Sequence, residues 1–434
     1  PIANQNIHGA NTPDMIIVIP QDSAFYLQAN RLAAFRKQND NINCMVVDVQ
    51  QVYNEFSSGK KDVTAIRDMV KMFYDRGNAD GNHLKYLLLF GKGTFANHIE
   101  KENNFNLIPV YQSQESLNKG GSYATDDYYG WMNTQSSESA NLLQIGIGRL
   151  PAKNGKEAKA LIDKIIAYDN PSNISDWQNT ISFIADDIDE SWEHSFEANS
   201  DKYAQYIETM FSRFTIQKIY LDAFKQITTS IGESYPEAKL MFNNRINNGA
   251  LVVNYVGHGN EKQLAGENII DISSIRSWNN KSKLPLFITA TCEFSRFDDV
   301  NLAESKQITS AGEEIILNQY GGGIALMTTT RQVYNDDNNI LNDAILKNLF
   351  LKDENGNKLR IGDVFMKAKN RASSTGLNRL NFTLLGDPSL ALKYPEERII
   401  AIDSVNGKNN FTDTINALDL VNIKGHLEPQ EGFS

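Results

Sequence analysis

Two cysteines and six histidines are the side chains of this 434-residue chain that could pair as a nucleophile and a proton carrier. Imidazole beside a thiol is the minimum needed to provide a thiolate nucleophile and a general acid at neutral pH. Cys44 lies inside the strand pattern NCMVVDVQ, where a buried and inert cysteine is expected. Cys292 instead ends the apolar run of LPLFITATCEF, just where polar residues begin. It is therefore the candidate nucleophile.

His258 occupies a matching position in ALVVNYVGHGN, an apolar run that stops at Gly257. In open parallel sheets the carboxyl ends of the strands form the ligand-binding crevice. Cys292 follows His258 by 34 residues, about the length of one strand–crossover–strand unit, which predicts neighbouring strands. Glycine on both sides of His258 permits close backbone approach, so the N–H of Gly259 could point at a ligand. A turn histidine without a task remains the alternative.

Strand and helix patterns alternate along the chain and would position these two residues. Apolar runs such as DMIIVIP and LKYLLLFG alternate with helical periodicities, among them VTAIRDMVKMFYDRG, which we expect to stop at Gly77. A second series runs through TISFIADDIDES, ALVVNYVGHGN, LPLFITATCEF and YGGGIALMTTTRQV. The alternation predicts an α/β fold with two consecutive, mostly parallel sheets flanked by helices.

The same patterns divide the chain into three parts. We expect a first α/β subdomain over residues 1–172 and a second over 173–395, which carries the candidate histidine and cysteine. Residues 396–434 have short strand patterns, a turn at Asn406-Gly407 and no helical periodicity. They predict the start of a truncated β-sandwich of Ig-like type.

Composition excludes several classes of protein. A formal net charge of −11 argues against a nucleic-acid partner. No apolar run approaches the roughly 20 residues that span a bilayer, and no signal peptide opens the chain. The chain begins PIANQNIHGA without Met, so we expect an excised or processed piece. Nucleotide-binding, zinc-protease and serine-hydrolase motifs are absent, and the scattered Cys and His residues disfavour zinc.

Several segments together are similar to the gingipain family of cysteine peptidases, within the caspase-like clan. They are NYVGHGNEKQLAGE, LPLFITATCEF, GGGIALMTTTR and LLGDPSL, joined by YATDDYYG and IGIGRLPAKN in the first half. The order of the pair, histidine before a cysteine that ends a strand, is also that of caspase-type enzymes. TATCEFSRFDD followed by SAGE resembles, more narrowly, the branch that contains the signal peptidase of the type IX secretion system in Bacteroidetes.

The resemblance implies a role for each matching residue. Cys292 would be the nucleophile, His258 the general acid/base, and the N–H groups of Gly259 and Cys292 the oxyanion hole. A third, acidic group that orients the imidazole is expected from loops of the first subdomain. Asp126 or Asp127 is the favoured candidate and Glu115 the alternative, while one of the aspartates could instead line the pocket for the substrate's basic side chain. A capping or turn pair also remains open for the two aspartates.

The resemblance further implies a substrate class and a location. Substrates would be secreted proteins with a C-terminal sorting domain, cleaved at the outer-membrane-associated cell surface of a Bacteroidetes-type bacterium, beside partner proteins of the secretion machinery. The acyl-enzyme could pass to an amine of anionic lipopolysaccharide, as in a sortase, instead of to water. The alternatives are a general secreted Arg- or Lys-specific protease and a non-catalytic scaffold domain of an outer-membrane complex.

Three further expectations concern the surroundings of the site. No cofactor is required, but the family often carries calcium, and acidic oxygens suit Ca²⁺ at Asp186, Asp187 and Asp189, or at NDDNN over residues 335–339. Solvated loops are the alternative for both. Thr329, Thr330 and Arg331 are expected to line the substrate cleft. Glu293, Arg296, Asp298 and Asp299 are expected to brace the loop after Cys292, and the alternative is that they shape the substrate site.

Overall fold

A ten-stranded sheet forms the centre of the fold. The computed structural model describes residues 5–97, 106–115, 118, 121–133, 135, 138–169, 175–230, 232–301, 306–395, 398–409 and 414–429. The strands of this sheet are β1 Met15–Ile19, β2 Cys44–Asp48, β3 Tyr86–Phe90, β4 Gly146–Leu150, β5 Thr180–Ala185, β6 Thr215–Tyr220, β7 Val252–Val256, β8 Leu286–Ala290, β9 Ala325–Thr329 and β10 Phe382–Leu385.

The order of the strands across the sheet is β2-β1-β3-β4-β10-β9-β8-β7-β5-β6. Every pairing is parallel except that of β9 with β10, so β5 to β9 run opposite to the remaining strands. The α/β, mostly parallel, caspase-like fold is confirmed, but the expectation of two separate sheets is wrong. The two halves join because β10 pairs with β4 through Leu385 and Arg149. Hydrophobic periodicity predicts strands without their lateral order, so it could not show this junction.

Helices cover the sheet and account for its apolar strands. They are α1 Ser23–Asp40, α2 Val49–Phe56, α3 Val63–Asp80, α4 Gly155–Tyr168, α5 His194–Met210, α6 Pro236–Asn248, α7 Ile272–Ser277, α8 Ala311–Leu317, α9 Asn335–Asn348 and α10 Ile361–Arg371. Every residue of β7, β8 and β9 is buried. Continuous apolar strands of this kind belong to parallel sheets covered on both faces, which hold the strand ends rigid.

Helix α3 does not stop at Gly77, as its sequence suggested. It continues to Asp80 and ends at Gly81, whose φ of 77° is the left-handed conformation that favours glycine. Gly77 lies inside the helix. A side chain at this position would place its Cβ 2.3 Å from the carbonyl oxygen of Asn82, which explains why the residue is glycine. This glycine serves close packing rather than helix termination.

Among the described residues, four short antiparallel pairs that precede residue 394 lie outside the main sheet. They are Tyr111–Gln112 with Ala124–Thr125, Ile227–Thr229 with Gly232–Ser234, Gln263–Leu264 with Ile270–Asp271, and Val300–Asn301 with Lys306–Gln307.

The chain divides into two compact units, Pro1–Lys393 and Tyr394–Ser434. The first contains the whole ten-stranded sheet. The boundary predicted at residues 172 and 173 lies outside the described residues, and the subdomain division stays a prediction. No helix within the described ranges is long and apolar enough to cross a membrane.

The second unit contains an antiparallel pair, Arg398–Val405 with Ile423–Pro429. The predicted turn is present, since Asn406 and Gly407 both have positive φ, 51° and 77°. Ile400, Ile402 and Leu427 are 73%, 62% and 59% exposed. A two-stranded sheet with an exposed apolar face has marginal stability by itself. The hairpin is compatible with the predicted β-sandwich, which stays a prediction.

Candidate active site

His258 and Cys292 lie at the carboxyl ends of adjacent parallel strands. Val256, the last residue of β7, is the register partner of Ala290, the last residue of β8. Each candidate residue follows its strand by two positions, so the sheet holds both at one edge. The placement predicted from their spacing is confirmed.

Two glycines shape the turn that carries His258. Gly257 has a φ of 154°, and a Cβ there would lie 2.3 Å from the Cβ of Asp186. A Cβ on Gly259 would lie 2.5 Å from Oγ1 of Thr291. The N–H of His258 donates to Oδ2 of Asp186 at 2.7 Å, which fixes the turn. The close approach of β5, β7 and β8 therefore explains both glycines.

A buried carboxylate orients the imidazole. Nε2 of His258 lies 2.6 Å from Oε1 of Glu193, and the side chains are 52% and 4% exposed. Oε2 of Glu193 accepts the N–H groups of Asp189 and Glu190 at 2.7 and 2.5 Å. Burial alone would raise the pKa of Glu193, but the hydrogen bonds from His258 and these two amides hold it below its usual range. This lowering favours an ionised carboxylate, to which Nε2 donates, and a neutral imidazole that donates through Nε2 has its lone pair on Nδ1.

Two aromatic rings complete the support of His258. Trp192 and Phe196 meet the imidazole edge to face, with ring centroids 5.6 and 5.5 Å away and interplanar angles of 87° and 89°. Both rings belong to the segment that carries Glu193. One short stretch of chain therefore orients the ring by a hydrogen bond and by two aromatic contacts.

The surroundings of Cys292 favour the protonated thiol over the thiolate. Burial raises the pKa of Cys292 above its usual range, and the neighbouring Glu293 carboxylate also raises it. Sγ lies 3.6 Å from the carbonyl oxygen of Val333. Glu293 has a φ of 50°, uncommon for a residue other than glycine, and its N–H donates to the carbonyl of Arg331. Attack by this thiol therefore requires a base to remove its proton.

Backbone donors remain available beside the thiol. Over the described residues, the N–H groups of Gly259 and Cys292 donate to no acceptor of the chain. Unpaired amides that flank a nucleophile can stabilise an oxyanion that develops there. The pair predicted for the oxyanion hole is therefore free to act.

Comparison with known proteins places this arrangement in a family. Residues 8–393 match the model of peptidase family C25. The chain belongs to peptidase family C25. This is the family of the gingipain cysteine peptidases, which the sequence motifs indicated. Comparison with curated protein sequences found no match.

Three solved structures have a fold similar to that of this C25 peptidase. Its structure is similar to the Arg-specific cysteine proteinase gingipain R (RgpB), with a TM-score of 0.65 and 18% identity over 92% of this chain and 83% of that one. The complex of RgpB pro- and mature domains from Porphyromonas gingivalis gives a TM-score of 0.64 and 18% identity, over 89% and 82% of the chains. Dimeric latent PorU from Porphyromonas gingivalis gives 0.51 and 21%, over 99% of this chain and 35% of that one. The C25 chain thus spans about a third of PorU.

The acid that contacts His258 is not one of those predicted. Asp126 accepts two hydrogen bonds from the buried Arg149, at 2.8 and 2.7 Å, and Asp127 accepts Nζ of the buried Lys369 at 2.7 Å. Both aspartates are buried with these cations, and Glu115 is exposed. Glu193 takes the orienting position because β5, whose carboxyl end leads to it, lies next to β7 in the sheet.

The prediction of the residues that line the substrate cleft is also wrong. Thr329, Thr330 and Arg331 are fully buried and cannot line an open cleft. Arg331 forms a buried ion pair with Asp298 at 2.5 Å. Their burial follows from the position of β9 in the middle of the sheet, between β8 and β10.

The polar residues after Cys292 do brace its loop. Besides the pair of Asp298 with Arg331, Arg296 lies 3.2 Å from Glu293 and 3.7 Å from Asp299. The expectation of bracing is confirmed.

One acidic cluster has the geometry of a cation site. Asp186, Asp187 and Glu267 each offer a carboxylate oxygen, and these atoms lie within 4.8 Å of one another. Asp189 is exposed and is not in the group. The 335–339 segment is the first turn of α9 rather than a loop, and its Asp336 and Asp337 complement the helix dipole.

Sequence reasoning missed Glu193 and Glu267. Glu193 follows the acidic run ADDIDES by two residues, at the carboxyl end of a predicted parallel strand, which is the signal that could have found it. Glu267 lies in the loop after His258, and no residue pattern relates it to the two aspartates.

Proposed function

We propose that this C25 peptidase cleaves peptide bonds through Cys292 and His258, with Glu193 as the residue that orients the imidazole. The observation that carries the proposal is the hydrogen bond from Nε2 of His258 to Glu193, at the strand end next to Cys292. It leaves the lone pair of Nδ1 to act as the base that the protonated thiol requires.

The reaction follows from these groups. Nδ1 of His258 accepts the proton of Cys292, and the thiolate attacks the carbonyl carbon of the scissile bond. The N–H groups of Gly259 and Cys292 stabilise the oxyanion, at about 3 to 4 kcal/mol per donor. The imidazolium then returns the proton to the leaving amine as the C–N bond breaks. A thioester remains until water or another amine attacks it, again with Nδ1 as the base.

The substrates we propose are secreted proteins that carry a C-terminal sorting domain, removed at the cell surface of a Bacteroidetes-type bacterium. The residues around Cys292 and the SAGE segment support this choice. The same thioester could be resolved by an amine of anionic lipopolysaccharide, since water and amines compete for one acyl carbon. Outer-membrane proteins of the type IX secretion machinery are the proposed partners.

Thiol labelling tests the catalytic assignment. Wild-type protein is treated at pH 7 with a peptidyl electrophile, and both cysteines are followed by mass spectrometry. Cys44 is an internal control, because burial raises its pKa to about 12. We expect fast labelling of Cys292, little of Cys44, and loss of Cys292 labelling in His258→Ala. Equal slow labelling of both thiols would contradict the dyad and favour the scaffold alternative.

Processing of defined substrates tests the finer function. A protein with a C-terminal sorting domain and a peptide library are incubated with wild-type protein and with Cys292→Ala. Release of the sorting domain by wild type alone supports the proposal. Cleavage only after Arg or Lys, irrespective of a sorting domain, would support a general basic-specific protease. An amine acceptor added to the assay separates transfer from hydrolysis by the mass of the product.

We also propose that Asp186, Asp187 and Glu267 hold a structural Ca²⁺. Oδ1 of Asp186 supports this fit, because it is buried and accepts no hydrogen bond in the described part of the chain. Tyr235 donates to Asp187 at 3.0 Å, and burial together with the neighbouring acid raises the pKa of Glu267 to about 7. Three carboxylates with so few donors match the oxygen ligands that Ca²⁺ prefers. The ion would fix Asp186, whose other oxygen accepts the N–H of His258.

A further inference from the structure

Trp192 differs from the other tryptophans by its exposure. Its side chain is half exposed, at 50%, whereas Trp131, Trp177 and Trp278 are 2%, 5% and 1% exposed. It lies in the short 3-10 helix Ser191–Glu193, immediately before the carboxylate that orients His258. A large apolar ring is thus kept in solvent at the candidate active site.

Support of the imidazole does not account for this exposure. Phe196, which is buried, already meets His258 at 5.5 Å, and Glu193 holds Nε2. Trp192 touches both His258 and Phe196 edge to face, at centroid distances of 5.6 and 5.5 Å. These contacts fix the indole in place, while the exposed part of its surface remains available to another molecule.

The chemistry of His258 tells which part of a substrate would meet this ring. The imidazolium donates its proton to the leaving amine, so it lies on the leaving-group side of the scissile bond. The residue whose amine leaves, the one that follows the scissile bond, must pass beside the imidazole and hence beside its neighbour Trp192.

We propose that Trp192 forms the wall of the subsite for the residue after the scissile bond and that this subsite prefers a large apolar or aromatic side chain. The preference follows because such a side chain covers exposed indole surface. Asp189 and Glu190, both exposed and close to Trp192 in sequence, would repel an acidic side chain there. This inference depends on the proposed catalytic role of Cys292 and His258.

Peptides that differ only after the scissile bond test the subsite. We measure kcat/KM for Phe, Ala and Asp at that position, with wild type, Trp192→Ala and Trp192→Phe. Wild type should favour Phe over Ala by about 3- to 10-fold, the size of a typical aromatic contact. Trp192→Ala should lose this ratio and Trp192→Phe should keep most of it. Leu240→Ala, which removes an exposed apolar side chain of α6, is the control and should keep the ratio.

Fluorescence gives a readout independent of turnover. The other tryptophans are buried, so acrylamide quenching reports mainly on Trp192. In Cys292→Ala, the Phe peptide should protect the indole from acrylamide and the Asp peptide should not.

The outcomes separate the two proposals. Cleavage that survives Cys292→Ala overturns the proposed function. If cleavage requires Cys292 but Trp192→Ala keeps the Phe-to-Ala ratio, the subsite is overturned. A uniform loss for all peptides, with a shifted pH profile, overturns it too, because Trp192 would then only position His258.

Discussion

Two pairs of adjacent aspartates in this C25 peptidase have opposite surroundings. Asp126 and Asp127 are each neutralised by a buried cation, Arg149 and Lys369. Asp186 and Asp187 have no cationic partner in the described part of the chain, and their donors are a backbone N–H, a tyrosine and a glutamine. Both pairs are buried, so burial alone does not distinguish them.

The two surroundings indicate different roles for the two pairs. A buried carboxylate that is paired with a cation ties segments of the fold together, and its charge is already compensated. A buried carboxylate without a cation is unfavourable unless a proton or a metal ion compensates its charge. We therefore assign the first pair to the scaffold and propose that the second, with the nearby Glu193, serves the site.

The largest effect on activity is expected for Glu193, which contacts His258, and not for Asp126 or Asp127, which are paired with buried cations. Glu193→Gln should lower kcat/KM by about 10³- to 10⁴-fold, because an amide can present its carbonyl or its NH₂ to Nε2 and no longer fixes the tautomer of His258. The unfolding midpoint should stay close to that of wild type. Kinetics on a cleavable peptide and a urea titration measure the two quantities. If kcat/KM of Glu193→Gln stays within about tenfold of the wild-type value, Glu193 does not orient His258 in the reaction.

Asp126→Asn should show the reverse pattern. It leaves Arg149 buried without its bidentate partner, which should lower the free energy of unfolding by about 3 to 5 kcal/mol. Activity per folded molecule should change little. The matched control is the double variant Asp126→Leu with Arg149→Met, which removes both charges and should recover part of the stability, because the carbonyls of Gly91, Ile108 and Pro109 also lose a donor. A large loss of kcat/KM in folded Asp126→Asn would instead return Asp126 to the site.

Calcium should stabilise the folded protein through the pair of Asp186 and Asp187. Addition of Ca²⁺ at 100 times its dissociation constant should stabilise the protein by about 2.7 kcal/mol, because the ion binds the folded state. Asp187→Asn should abolish the rise in melting temperature. Asp336→Asn, which alters an acid of the first turn of α9, should keep it. No response of wild type to Ca²⁺ or to a chelator would exclude the site.

The smallest effect is expected for the pH dependence of stability, through Asp298, which is paired with the buried Arg331. Burial would raise the pKa of Asp298, but Arg331 holds it below its usual range. The ion pair therefore contributes stability above the ordinary aspartate pKa and loses it as the pH falls through the lower folded value. Between pH 5 and 3, the free energy of unfolding should fall more steeply in wild type than in Asp298→Asn. Equal slopes would show that Asp298 does not titrate with unfolding.

The parts of the site that depend on local pattern can be predicted from the sequence. Cys292 and His258 could be predicted because apolar strands, their carboxyl ends and the flanking glycines are visible in a few adjacent residues, and 34 residues of separation fit one crossover. The α/β class and the helices α1, α3 and α4 follow from periodicity in the same way.

Which acids belong to the site depends on contacts between residues that are distant along the chain. Glu193 lies 65 residues before His258, and their contact exists because β5 pairs with β7. Glu267 joins Asp186 and Asp187 through a loop conformation, and Arg149 and Lys369 claim Asp126 and Asp127 across the fold. Carboxylates look alike in a sequence, and the charge that compensates each one is supplied by residues distant along the chain, so their roles are set by packing.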